Sequence, residues 1–237
     1  MPARLRRLLW LLWPCLLALY LAVLRYPIST LYTRAGSVGL LVALWAGLLV
    51  LLWRHRSVRF TLLGVTAAAA IFLALPIGMP ASAEQLRADY TASLRRYDGV
   101  IYVWGGENAQ GIDCSGLVRR GLINALSVRG LRTFNPSLLR QALVLWWNDT
   151  TASSLGAGEG TVPVQRVPSL NAADAAPLLP GDLAVTLGGA HIMAYLGEHQ
   201  WIEADPQASQ VLTITTPAKE YWFNTPMNIV RWKALAP

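Results

Sequence analysis

Three uncharged apolar runs, Leu8–Leu24, Ala35–Trp53 and Phe60–Met79, fill the first third of this 237-residue chain. Each is long enough, or nearly so, for a helix to cross a hydrocarbon core of ~30 Å. A helix buried in a water-soluble protein shows a polar face, and these runs have none. The pattern therefore predicts three membrane spans, about 8–24, 35–53 and 60–79. Pro14 lies inside the first, where a bilayer helix tolerates a kink. Polar residues that would hint at a transport path are nearly absent from the spans.

Charge follows the same division. Residues 1–83 carry eight arginines and no acidic residue, whereas residues 84–237 carry 12 basic and 13 acidic ones. The net charge of +7 thus belongs to the apolar third. Those arginines flank the spans and form no patch on a folded domain, which sets nucleic-acid binding aside. Arg4, Arg6 and Arg7 precede the first span, Arg25 and Arg34 lie between the first two, and Arg54, Arg56 and Arg59 lie between the last two. The positive-inside rule then predicts a cytoplasmic N-terminus and a domain outside the cytoplasm after Met79. Residues 80–85 read as a short linker of small residues. Ala81-Ser82-Ala83 also has the form of a signal-peptidase site, and a cut after Ala83 would free the C-terminal domain.

Residues 86–237 are enough for one domain with its own core. Leu86, Tyr90 and Leu94 recur at helical spacing over 84–97. Val100–Trp104 is a short β-rich run closed by Gly105-Gly106. Asp113 is a good N-cap for a helix from Cys114 to about Ser127, with Leu117, Val118, Leu122 and Leu126 inward, Arg119 and Arg120 outward, and Arg129-Gly130 as its stop. Pro136–Trp147 reads as a further helix and Thr150–Pro168 as an irregular loop, both within an insertion at about 131–176. Five short strands come next, at 183–187, 191–196, 201–204, 211–215 and 228–232. Helices first and antiparallel strands afterwards predict an α+β domain rather than a doubly wound sheet.

Only two cysteines occur, and Cys15 falls mid-span. Cys114, at a helix N-terminus, is the nucleophile candidate, since unpaired N–H groups and the helix dipole are expected to lower its thiol pKa there. His191 is the base candidate. His55 falls in a cytoplasmic loop and His199 in a turn. If 191–196 and 201–204 form a hairpin centred on Gly197, residue 203 faces residue 191 at ~5 Å, and Glu203 orients the imidazole. No metal or cofactor is expected, because no His/Cys/Asp cluster has ligand spacing.

The motifs Tyr102-Val103-Trp104-Gly105-Gly106, Asp113-Cys114-Ser115-Gly116-Leu117-Val118, Pro180-Gly181-Asp182-Leu183, His191–Gly197 and Trp201-Ile202-Glu203-Ala204 occur in that order. Together they resemble the NlpC/P60 family of papain-like cysteine peptidases, over roughly Leu86 to Trp232. The resemblance implies a papain-like α+β fold and cleavage of peptidoglycan stem peptides, often between a γ-linked D-glutamyl residue and a diamino acid. It implies Cys114 as nucleophile, His191 as base and Glu203 as the polar third residue. Tyr102 matches the tyrosine beside the nucleophile, and Asp113 and Ser115 match positions that recognise the substrate's amino end. The family more often has His, Asn, Asp or Gln at the third position, and the connection from Arg129 to Pro177 is longer than usual. Trp146-Trp147 in that connection forms either an aromatic wall for the substrate or packing in the core or at the membrane surface. Two other readings stay open: a thiol amidase or acyltransferase on another amide or lipid, and a non-catalytic cell-wall-binding module. Three spans exceed what tethering needs, which leaves room for a membrane protein partner.

Overall fold

The computed structural model describes residues 3–78, 81–173 and 177–237, with side chains from Leu8 onward. Met79 and Pro80, expected at the end of the third span and the start of the linker, lie outside the described residues, as do 174–176 at the end of the expected insertion. The chain opens with α1 (Ala3–Arg25), α2 (Leu31–Leu51) and α3 (Arg56–Ala74). All three are long and apolar enough to cross a membrane. Many of their large side chains, among them Leu11, Val42, Val65 and Ile71, face outward, while Leu44, Leu49 and Leu51 of α2 are buried. Helix α2 begins four residues earlier than the uncharged run. Thr30 and Thr33 close a reciprocal capping box, so Arg34 falls inside the first turns instead of in a loop. Helix α3 ends at Ala74, just before Pro76.

Ser82 caps α4 (Ala83–Arg95), whose Leu86, Tyr90 and Leu94 are buried as expected. The 100–104 run makes only isolated bridges, Ile101 to Gln210 and Tyr102 to Ile112. A two-residue hairpin comes after it, β1 (Glu107–Asn108) with β2 (Gly111–Ile112). Helix α5 (Cys114–Arg132) runs past the expected stop at Arg129-Gly130. Gly130 is needed there for close packing: a Cβ would meet the Leu139 side chain of α6 (Pro136–Trp147) at 2.8 Å. Arg129 pairs with Asp89 of α4 at 2.6 Å.

The 150–168 stretch, expected as an irregular loop, contains a short helix, α7 (Ala152–Gly156), and an edge strand, β3 (Thr161–Val167). Pro163 hides that strand from a reading of local pattern. It sits where the pairing slips, between Pro163 and Gln165, and an edge strand tolerates the missing N–H. Then come β4 (Leu183–Thr186), β5 (Ile192–Gly197), β6 (Gln200–Asp205), β7 (Gln210–Thr215) and β8 (Met227–Trp232). The antiparallel sheet has the order β3-β8-β4-β5-β6-β7, with α5 against β5 and β6. The result is the α+β arrangement expected, helices on one antiparallel sheet, after three long apolar helices.

One expected surface residue is deep inside. Arg119 is 1% exposed, because α5 is covered by α4, α6 and the 105–113 loop. It donates to Glu107 Oε1 at 3.0 Å and to the carbonyls of Asn148 and Leu145. The other Glu107 oxygen accepts from Arg34 of α2 at 3.1 Å. Arg34 also bonds Ser29 and the Trp147 carbonyl, and reaches the exposed Asp149 at 3.5 Å. The segment between α1 and α2 joins the same loop through its backbone. Ser29 N–H donates to the Gly105 carbonyl, and Glu107 N–H to that of Pro27. At the far end of α3, Arg140 of α6 donates to the Leu73 and Leu75 carbonyls. The apolar helices and the α+β domain are therefore bonded at two points.

Removing Glu107 leaves two buried guanidiniums without their shared carboxylate. Glu107→Ala is expected to cost about 3–5 kcal/mol, read as a lowered unfolding temperature of the full chain in detergent. A loss below ~1 kcal/mol would show that the two arginines are satisfied without it.

Candidate active site

The start of α5 organises the site. Asp113 Oδ1 accepts from the Gly116 N–H at 2.6 Å and the Ser115 hydroxyl at 2.9 Å, and Oδ2 accepts from the Gly105 N–H at 2.8 Å. Gly105 turns there with φ of 73°. The Gly106 carbonyl accepts from Asp113 N–H, and a Cβ on Gly116 would collide with that carbonyl. Asp113 and Ser115, expected at the substrate's amino end, both line the cleft, while the Asp113 carboxylate is already committed to the backbone.

Cys114, the first residue of α5, is buried against the start of β5. Its thiol is pushed up to about 12, by burial first and the neighbouring Asp113 carboxylate second. Backbone N–H groups of Ile192, Ser115 and Cys114 itself oppose the shift without cancelling it. The expectation of a lowered thiol pKa at the helix N-terminus is thus overturned. Desolvation and an adjacent negative charge outweigh the dipole end. The sulfur rests as a neutral thiol beside Ile192, the residue next in the chain after His191.

His191 is 1% exposed and its backbone is fixed by Thr186, whose hydroxyl accepts from His191 N–H at 2.9 Å. Its Nε2 lies 2.5 Å from Glu203 Oε2. A carboxylate only accepts, so Nε2 carries the hydrogen of this contact. Among the described residues nothing hydrogen-bonds to Nδ1. The imidazole also stacks on Trp222, with centroids 4.5 Å apart and planes at 15°.

The hairpin that brings Glu203 to His191 is not the one expected. Ala194 pairs with Ile202 and Tyr195 with Trp201, with an irregularity before Gly197. Continued along the strands, that register sets residue 205, not 203, opposite His191. The shift is of two residues, so Glu203 keeps the same face of the sheet and meets the imidazole diagonally. Glu203 is fully buried, and its Oε1 has no hydrogen-bond partner among the described residues.

A cleft of about 310 Å³ opens on Cys114 between Tyr102 and Trp104 on one side and Gly189-Ala190 on the other. The Tyr102 hydroxyl is pushed up to about 12, by burial first and then by the acidic groups near it at Cys114, Asp113 and Asp205, so it stays a proton donor. Ser29 and Arg34, from the start of α2, also line this cleft. Their part and that of Trp222 are not legible in the sequence. Trp222 lies in a short turn, Tyr221–Asn224, without periodicity. His55 caps α3 and His199 sits in the β5–β6 turn; the cleft lining reaches Ala190, the residue before His191, and includes neither His191 nor Glu203.

The NlpC/P60 family model matches residues 99–231. Similar solved structures include NlpC2 from Trichomonas vaginalis, 20% identical over 62% of this chain and 47% of that one, with a TM-score of 0.41. NlpC1 from the same organism is 19% identical over 60% of this chain and 42% of that one, with a TM-score of 0.39. The peptidoglycan hydrolase RipB from Mycobacterium tuberculosis is 22% identical over 74% and 88%, with a TM-score of 0.41. The match thus spans less than half the length of either Trichomonas vaginalis protein. No curated protein matches the chain.

A thiol held up by burial and by Asp113 has a signed pH dependence. Alkylation of Cys114 by iodoacetamide is expected to be slow at pH 7 and still rising at pH 10. Reactivity that levels off below pH 7 would mean a preformed thiolate and contradict the neutral resting state.

Proposed function

This chain belongs to the NlpC/P60 family, and from that premise we propose that it is a membrane-anchored cysteine peptidase that hydrolyses amide bonds in peptidoglycan stem peptides. The observations that support the reading are the buried contact of His191 with Glu203 and a cysteine that opens a helix, meets the Ile192 backbone and lines a cleft. In this reading residues 1–79 form the membrane region, 80–85 the linker and 86–237 the catalytic domain with its insertion at 131–176.

As Cys114 Sγ attacks the amide carbonyl, His191 Nδ1 takes the thiol proton, and the new S–C bond gives a tetrahedral oxyanion. The Tyr102 hydroxyl and the N–H groups at the start of α5 are the available donors to that oxygen. Collapse breaks the C–N bond, and His191 returns the proton to the leaving amine. Water then attacks the thioester, His191 takes its proton, and the C–S bond breaks to give the acid and the free thiol. Glu203 holds the ring so that Nδ1 points to the thiol, and its charge stabilises the imidazolium formed in each attack. Asp113 and Ser115 border the position of the substrate's amino end.

The three apolar helices support a membrane anchor, and arginine placement supports a cytoplasmic N-terminus with the catalytic domain outside. The exposed Leu143, Val144 and Trp147 of α6, beside the end of α3, suit a domain seated on the membrane surface. A C-terminal alkaline phosphatase fusion is expected to be active. An inactive fusion, with a fluorescent C-terminal green fluorescent protein, would reverse the topology.

Incubating the full chain with peptidoglycan and reading the fragments by mass spectrometry tests the activity. New amine ends are expected, and Cys114→Ala is expected to lower their rate by about 10⁴-fold or more. Glu203→Gln keeps an acceptor but removes the charge, and is expected to cost at least about tenfold in kcat. Binding without cleavage would favour a cell-wall-binding module. Inertness towards every stem peptide would move the triad to another amide or a lipid.

A further inference from the structure

A second cavity, of about 120 Å³, adjoins the cleft and shares Ser29, Arg34 and Glu107 with it. Its floor is the end of α1, at Val23 and Leu24, and the first turns of α2, at Thr33 and Ser37; its roof is Asn108, Arg120 and Trp146. The volume corresponds to about four waters at ~30 Å³ each, enough for a phosphate group. Trp146 is thus a lining residue here as well as a partner of the core.

The charges facing this cavity favour an anion. Both oxygens of Glu107 are occupied, one by Arg34 and one by Arg119. Arg120 forms no ion pair or hydrogen bond among the described residues, and its buried Nε has no partner. A guanidinium that lines the cavity without an ion pair is one that a bound anion can pair with. The cavity lies where α1 ends and α2 begins, which for helices that cross a bilayer is the level of the lipid headgroups. Thus a site for an anionic headgroup opens beside the thiol cleft, with two shared side chains from the first turns and entry of α2.

We propose that this cavity binds the phosphate of a lipid-linked peptidoglycan precursor, and that the enzyme takes its stem peptide from that membrane-bound precursor rather than from the finished polymer. The proposal rests on the stem-peptide peptidase reading given above. A polyisoprenyl diphosphate sugar carries its phosphates at the membrane surface and its peptide away from it. With the phosphate against Arg120, the peptide extends past Ser29 and Arg34 towards Cys114. An ordinary anionic phospholipid offers the same phosphate chemistry but no peptide.

The test uses the full chain in phosphatidylcholine nanodiscs, with lipid-linked precursor, a soluble muropeptide with the same sugar and peptide, and whole sacculi as substrates. The precursor is expected to give a kcat/KM about tenfold or more above the soluble muropeptide. Arg120→Gln is expected to bring that ratio towards one by raising KM for the precursor, and Arg120→Lys to restore part of it. If Arg120→Gln does not fold, the native chain still decides: polyisoprenyl diphosphate in the nanodisc should compete with the precursor, and phosphatidylglycerol should not. Equal competition by phosphatidylglycerol would overturn the assignment to the precursor, as would a loss in Arg120→Gln that is the same for both substrates. Cleavage of sacculi or soluble muropeptide but not of the precursor would overturn this proposal and leave the peptidase reading intact. No cleavage of any of the three would overturn both.

Discussion

One buried carboxylate joins the two halves of this chain. Glu107 lies between Arg34 of α2 and Arg119 of α5, and each oxygen takes one guanidinium. Either arginine alone would be a desolvated charge in the interior, so the loop carrying Glu107 is held on both sides. That loop also carries Gly105 and Gly106, which bind Asp113 and pack on the first turn of α5. The position of the thiol therefore depends on contacts that reach back to the first apolar helices. Ser29 and Arg34, at the entry of α2, line the cleft itself.

The chemistry at Cys114 is governed by burial more than by the helix dipole. Asp113 is needed to start α5 and to hold Gly105, and the same carboxylate opposes a thiolate next to it. In the proposed mechanism the thiol is neutral at rest and gives up its proton to a base during attack, rather than standing as an ion pair. His191 fits that role. Its Nε2 is engaged by Glu203, Trp222 covers one face, and Thr186 fixes its backbone. The ring is left with little freedom to turn.

The parts of the fold that local chemistry determines are legible in the sequence. Asp113 as an N-cap, the apolar face of α4, the helix from Pro136 and the run of strands after Pro180 each rest on neighbouring residues. The features that escape are set by distant partners. Arg119 looks like a surface residue because nothing nearby in sequence foretells Glu107 and Arg34 on either side of it. Gly130 looks like a stop, whereas Leu139 of another helix requires it. β3 is concealed by Pro163, and the role of Trp222 by a turn without a period. Glu203 is reached from the sequence through the wrong register, and its place beside His191 survives because a two-residue slip does not change the face of a strand. The apolar runs are plain as long helices, but no motif links Pro27–Arg34 to Gly105–Glu107, so their loop does not announce itself as part of the cleft.

The central claim is that Cys114 becomes acylated by the stem peptide during turnover. It is tested most directly by acid-quenching the full chain with a muropeptide and mapping adducts by mass spectrometry of its peptides. The expected result is a thioester on the peptide containing Cys114, with the mass of the amino-side fragment of the substrate. Turnover at full rate with no adduct on Cys114, or with the fragment on another residue, would contradict it.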